Sequence, residues 1–133
     1  MRKIISALFL TLAFGAFLQI EAQAKQTVTV QINRQKTLPK SKLTIKFVSL
    51  LEDSRCPTDV RCIQAGNARI KIEVKKTGGG QQSFEINTNS QPQFINFAGY
   101  TINLTDLKPA PATNIRINRS GYRATFAVIK TGK

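Results

Sequence analysis

Apolar residues in this chain recur at every second position. Val28, Val30 and Ile32 are separated by Thr29 and Gln31, and Leu43, Ile45 and Phe47 by Thr44 and Lys46. Ala68, Ile70, Ile72 and Val74 interleave with Arg69, Lys71 and Glu73. The same period returns at Phe84 and Ile86, at Tyr100, Ile102 and Leu104, at Ile115 and Ile117, and from Tyr122 through Ala124 and Phe126 to Val128. Successive side chains of a strand point to opposite faces, so each run predicts a strand with one apolar and one wet face. β-Branched and aromatic residues fill these runs, and no stretch carries a helical period.

The breaks between runs carry turn chemistry. Leu38-Pro39-Lys40, Asn89-Ser90-Gln91-Pro92, Lys108-Pro109-Ala110-Pro111 and Ser120-Gly121 interrupt the alternation. Thr77-Gly78-Gly79-Gly80 predicts a hairpin, because glycine adopts positive φ without steric cost. About seven short strands, each wet on one face, predict an all-β fold: a single antiparallel β-sandwich, with a small β-barrel as the alternative.

The first residues belong to a different class. Met1-Arg2-Lys3 is basic, Ile4 to Leu18 is apolar and uncharged, and Ala22-Gln23-Ala24 ends the stretch. This pattern predicts a signal peptide over residues 1–24, cut after Ala24, and a single β-rich domain over residues 25–133. No cysteine stands at the cleavage point to accept a lipid, and no later apolar run is long enough to span a bilayer. A secreted or periplasmic location is therefore expected, and with it oxidised cysteines.

Cys56 and Cys62 are the only cysteines, and an even pair in an oxidising compartment predicts a disulfide. The bond closes a ring of seven residues, whose loop entropy is worth about 2 kcal/mol. It either staples a crossover that would otherwise fray, or presents a rigid contact loop built from Asp53, Arg55, Pro57, Thr58, Asp59 and Arg61. In that loop Arg55, Thr58 and Arg61 would meet a ligand, while Asp53 and Asp59 would organise turns or pair with the arginines.

Asp53-Ser54-Arg55-Cys56-Pro57, four residues, Cys62, three residues, Gly66, one residue and Ala68 resembles a motif of small exported bacterial proteins of uncharacterised function. The resemblance covers the centre of the chain, more weakly the surroundings of Leu107-Lys108-Pro109 and Tyr122. It implies a β-rich fold whose next strand begins at the Gly-x-Ala, and no catalytic residue. An aromatic is usual where this chain has Gln64, which removes an aromatic contact there.

The chemical inventory is narrow. There is no histidine, which removes Ser/His/Asp and Cys/His nucleophiles and the commonest metal ligand. No cofactor or metal is expected, and the chain reads as non-enzymatic. Glu52, Asp53 and Asp59 do not follow an EF-hand pattern, and Arg55 and Arg61 oppose a cation among them. Phe94, Phe97 and Tyr100, three residues apart, are either core filling or a stacking platform.

Formal net charge is +13, and loss of Arg2, Lys3 and Glu21 with the leader would leave +12. Such a domain is attracted to anionic surfaces. Three functions stay open. The first is a binding or accessory module that meets an unknown protein or anionic envelope component through the tied loop and the basic strand faces. The second is a hydrolase or protease inhibitor presenting Arg55 or Arg61. The third is a binder of anionic polymer through a basic face at Arg69, Lys71 and Lys75; nucleic acid is not expected, since no block of like charge occurs.

Overall fold

The computed structural model describes residues 25–131, together with Gly15. The signal-peptide reading falls on residues 1–24, which apart from Gly15 lie outside the described residues. Eight strands follow in order: β1 (Gln26–Gln31), β2 (Gln35–Leu38), β3 (Leu43–Asp53), β4 (Ala68–Lys76), β5 (Gln81–Asn87), β6 (Phe94–Phe97), β7 (Tyr100–Lys108) and β8 (Arg123–Lys130). They form two antiparallel four-stranded sheets, ordered β1-β8-β7-β6 and β2-β3-β4-β5. The sheets do not close on each other, so the molecule is a sandwich and not a barrel.

Alternation explains the core. Ile45, Phe47, Ile70, Ile72, Val74 and Ile86 from one sheet meet Val30, Ile102, Phe126 and Val128 from the other, all at 0–1% exposure. Each such side chain contributes about 1.5–3 kcal/mol by leaving water. Where the period breaks, the backbone breaks with it. β3 carries bulges between Phe47 and Ser49 and between Leu50 and Glu52, and β7 one between Leu104 and Asp106. An extra residue on one strand bends it and increases its twist.

Two strands escape the period-two reading and one predicted strand is absent. β2 (Gln-Lys-Thr-Leu) is polar because it is an edge strand, with only Leu38 buried. β6 is the opposite sheet's short edge strand. Ile115 and Ile117 belong to the connection from β7 to β8; Ile115 is exposed and Ile117 packs against the core from a loop. No helix among the described residues is long and apolar enough to cross a membrane.

The connections sort to two ends of the sandwich. At one end lie short turns: 39–42, the glycine turn 77–80, and the two-residue turn Ala98-Gly99. The predicted hairpin at 77–80 forms, with Gly78 at φ 75° and the Lys76 amide donating to Gly80 O at 3.0 Å. At the other end lie three long connections, 54–67, 88–93 and 109–122, and these carry the candidate site.

Candidate functional site

Cys56 and Cys62 are joined, with Cα atoms 5.9 Å apart. The ring they close has an anchored base and an exposed tip. The base is organised by Asp53, the last residue of β3. Arg55 Nε donates to Asp53 Oδ1 at 2.7 Å and Nη2 to Oδ2 at 2.8 Å, a two-pronged ion pair whose side chains are only 14% and 11% exposed. The remaining guanidinium capacity crosses to the other sheet: Nη1 reaches Leu107 O at 2.7 Å and Nη2 reaches Pro109 O at 2.9 Å. Tyr122, the buried residue before β8, donates its hydroxyl to Asp53 Oδ2 at 2.9 Å. One carboxylate thus ties β3, the loop and the entrance to β8 together.

The electrostatics follow from this packing. Burial pushes the Asp53 carboxyl up, but hydrogen bonds from Arg55 and Tyr122 and the guanidinium charge outweigh it, and the carboxyl titrates below its ordinary range. The Asp53 hydrogen bond pushes Arg55 up. Burial, then the Asp53 contact and charge, push the Tyr122 phenol up. Arg55 is therefore a permanently ionised strut, not a free side chain on the surface.

The rest of the base is equally committed. The Thr58 amide donates to Pro111 O at 2.9 Å, and Asp59 accepts from the Thr113 amide at 3.0 Å and from the Thr113 hydroxyl. Those hydrogen bonds hold the Asp59 carboxyl below its usual value. Ser54 and Asn67 close the neck of the loop: the Ser54 amide and hydroxyl donate to Asn67 O at 2.7 and 2.9 Å. Gly66 is required there, since a Cβ would lie 1.5 Å from Ser54 O. Ala68 is fully buried where β4 begins.

Asn67 extends the network to the third connection. Its Oδ1 accepts from the amides of Asn89 and Ser90 at 2.9 and 3.1 Å, and its Nδ2 donates to Asn87 Oδ1 at 2.9 Å. Neither Asn67 nor Thr113 stands out in the sequence, since an asparagine or threonine in a loop is ordinary and its partner lies dozens of residues away.

The tip differs. Of the six residues expected in a contact loop, Asp53 and Arg55 have largely buried side chains, Pro57 is half-buried, Thr58 and Asp59 are exposed but bonded to the 109–122 connection, and Arg61 projects freely. Around Arg61 stand Val60, 44% exposed, and Ile63, fully exposed. These two apolar residues escape the sequence reading, although a signal exists: they belong to no alternating run, so no strand face claims them.

The other candidates separate. Arg69, Lys71 and Lys75 do share the outer face of β4, but acids interleave with them. Arg69 stands opposite Glu52, Lys71 opposite Glu85, and Glu73 lies between Lys71 and Lys75 and opposite Lys46. That face is nearly charge-balanced. Phe94, Phe97 and Tyr100 form no common platform. Phe94 is exposed, Phe97 packs edge-on to Phe84 with centroids 6.1 Å apart, and Tyr100 lies 5.1 Å beneath Lys76 Nζ. No three Cys, Asp or Glu side chains converge among the described residues as a metal site would require.

Comparison with protein-family models, with curated proteins and with solved structures returned no match.

Proposed function

We propose that this chain is a secreted or periplasmic, non-enzymatic binding module that engages a protein partner with the tip of its disulfide-tied loop. The observation that carries this reading is the exposure of Val60 and Arg61 on the ring, and of Ile63 just after it, in a connection cross-bonded to 109–122 and 88–93. A cation flanked by exposed apolar side chains suits a protein surface, since arginine is enriched among the residues that dominate binding energy and exposed apolar groups together mark contacts. A tip held by its base loses little further entropy when it docks. Export is supported by the pattern of residues 1–24 and by the disulfide, which persists in oxidising compartments. The non-enzymatic part rests on the absence of histidine from the sequence and on the pairing of both cysteines.

The test is site-specific photo-crosslinking in the source cells, with the crosslinker at position 63 and a control at position 71. One defined protein adduct from position 63, lost in Arg61→Ala with the melting temperature unchanged, is expected. Equal adducts from both positions would sink the reading.

A second reading is favoured by one observation: Arg61 projects from a tied ring, as a basic residue would when offered to a trypsin-like cleft. The inhibitor reading expects inhibition of such a protease at micromolar concentration, abolished by Arg61→Ala. Cleavage after Arg61 without inhibition would dismiss it.

A further inference from the structure

Six acids follow residue 24, three of them bonded or ion-paired and three on one sheet face. Asp53 and Asp59 are bonded within the loop end, and Asp106 stands 3.7 Å from Lys108 Nζ. Glu52, Glu73 and Glu85 lie on the outer face of the β2-β3-β4-β5 sheet among its cations. Cations outnumber these acids, and a group of them with no acid beside it lines a cavity.

β1 and β2 are the edge strands of the two sheets and lie on the same side of the sandwich. A groove of about 440 Å³ runs at this edge, lined by Thr29, Gln31, Arg34, Gln35, Lys36 and Arg123. Three of the six carry positive charge and none is acidic. The crossover that presents Arg34 is well held: Asn33 sits at φ 65°, its amide donates to Phe47 O at 2.8 Å, and the Phe47 amide donates to Arg34 O at 3.1 Å. Arg123 stands opposite Gln31 in the β1–β8 ladder.

We infer that this groove is a binding site for a segment of anionic polysaccharide, one whose sugar rings carry sulfate or carboxylate groups. Its volume falls within the range of ligand sites. Arg34 and Arg123 offer planar forks suited to such oxyanions, and Lys36 a compact charge. Thr29, Gln31 and Gln35 offer neutral donors and acceptors suited to ring hydroxyls. Its lining comes from β1, β2, β8 and the β1–β2 crossover, at the edge of the sandwich. No aromatic side chain lines it, which disfavours base stacking and hence a nucleic acid strand. No large apolar side chain lines it either, which disfavours insertion into a bilayer. A lysine on an edge strand also discourages strand addition, but that accounts for Lys36 alone and not for the two arginines. The site is separate from the loop tip and does not depend on the function proposed for it.

The test is equilibrium binding of the chain from residue 25 onward to a fluorescently labelled heparin oligosaccharide, and to a short single-stranded DNA of equal charge. The variant Arg34→Gln/Lys36→Gln/Arg123→Gln is compared with a charge-matched control, Lys42→Gln/Lys71→Gln/Lys75→Gln. At physiological salt the groove variant is expected to lose about 30-fold in heparin affinity and the control less than about 3-fold, with the salt dependence shallower by about two ions in the groove variant alone. Equal losses in both variants would overturn the inference in favour of diffuse charge. DNA bound more tightly than heparin and lost with the same three residues would overturn the polysaccharide assignment. Should the triple variant fail to fold, Arg123→Glu, a single exposed change, decides the question: heparin affinity falls if the groove binds, and an unchanged affinity refutes it.

Discussion

The two ends of the sandwich are built by different chemistry. At the hairpin end, the connections are held chiefly by backbone: Gly78 and Gly99 at positive φ, amides bonded within the turns, and two amides, of Thr77 and Thr131, donating across to Lys42 O and Gly99 O. At the loop end, three connections are held by side chains reaching far along the chain, Arg55 to Leu107 and Pro109, Asp53 to Tyr122, Asn67 to Asn89. The charges divide too. Lys40, Lys42, Lys75, Lys76 and Lys130 stand at or near the hairpin end with no acid in its turns, while the loop end holds Asp53 and Asp59 in bonded pairs with Arg55 and Thr113. A local end tolerates exchange of side chains. A non-local end does not, because each lost donor strands an acceptor elsewhere in the fold.

The largest test of that contrast is Arg55→Ala. It leaves the Asp53 carboxylate largely out of water without its cation and strips two carbonyls of their donor, so a loss of about 3–5 kcal/mol is expected. Denaturant midpoints measure it. Arg55→Lys should recover little, since one ammonium cannot reproduce the two-pronged pair while also reaching Leu107 and Pro109. At the hairpin end Lys76→Ala, which removes a half-buried cation over Tyr100, should cost about 1 kcal/mol. Comparable losses at the two ends would break the comparison.

Within the loop end the disulfide is the lesser support. Cys56→Ser/Cys62→Ser should lower stability by about 2 kcal/mol, below the Arg55 effect, because a seven-residue ring restrains few unfolded conformations. Amide exchange should accelerate at residues 57–63 while Ser54 and Asn67, held by the neck, stay protected. Exchange spreading to the neck would show that the bond and not the Asp53 cluster holds the loop.

The same cluster makes the loop end sensitive to pH. Asp53 titrates lower in the folded chain than in the unfolded one, so its contribution is complete above about 4 and is lost as pH falls through the folded value. Tyr122 titrates higher when folded, so its contribution is complete below about 10 and is lost as pH rises through the folded value. Urea midpoints should form a plateau across neutral pH and decline on both sides. Tyr122→Phe should cost about 1 kcal/mol at neutral pH and reduce the alkaline decline. An alkaline limb identical to that of the parent would detach Tyr122 from the cluster.

The division between the ends is also the division between what the sequence makes legible and what it hides. Alternation reveals six strands because burial on one face is a local constraint repeated residue by residue, but it does not separate sandwich from barrel, since both bury one face of each strand. The glycine turn at 77–80 is legible for the same reason. β2 and β6 are hidden because an edge strand buries too little to impose a pattern, and Ile115 with Ile117 imitates a strand because two apolar residues two apart need no sheet. The ring at Cys56 and Cys62 is legible as a pair. The inward turn of Arg55 is not, since its acceptors are the carbonyls of Leu107 and Pro109, and every residue offers a carbonyl. The balance of charge around Arg69, Lys71 and Lys75 is hidden likewise, because it depends on the register that sets Glu52 and Glu85 beside them.

The smallest test lies at the hairpin end, where Lys42 and Ala98 hold positive φ without being glycine. Phe97 pairs with Tyr100, so Ala98 and Gly99 form a two-residue turn, and both have positive φ, at 51° and 80°. Such turns match the twist of the flanking strands but favour asparagine or glycine at the first position, since a Cβ in the left-handed region crowds the backbone. Ala98→Gly removes that crowding and gives back part of the gain as unfolded-chain entropy, leaving a stabilisation of about 0.5 kcal/mol. The gain should appear in the denaturant midpoint and stay independent of pH, because neither turn residue titrates. It should also be additive with the loss from Arg55→Ala, since the two sites lie at opposite ends and share no partner. A coupling between them would mean that the ends are not independent, and that strain in one turn is transmitted along the strands to the clamp at Asp53.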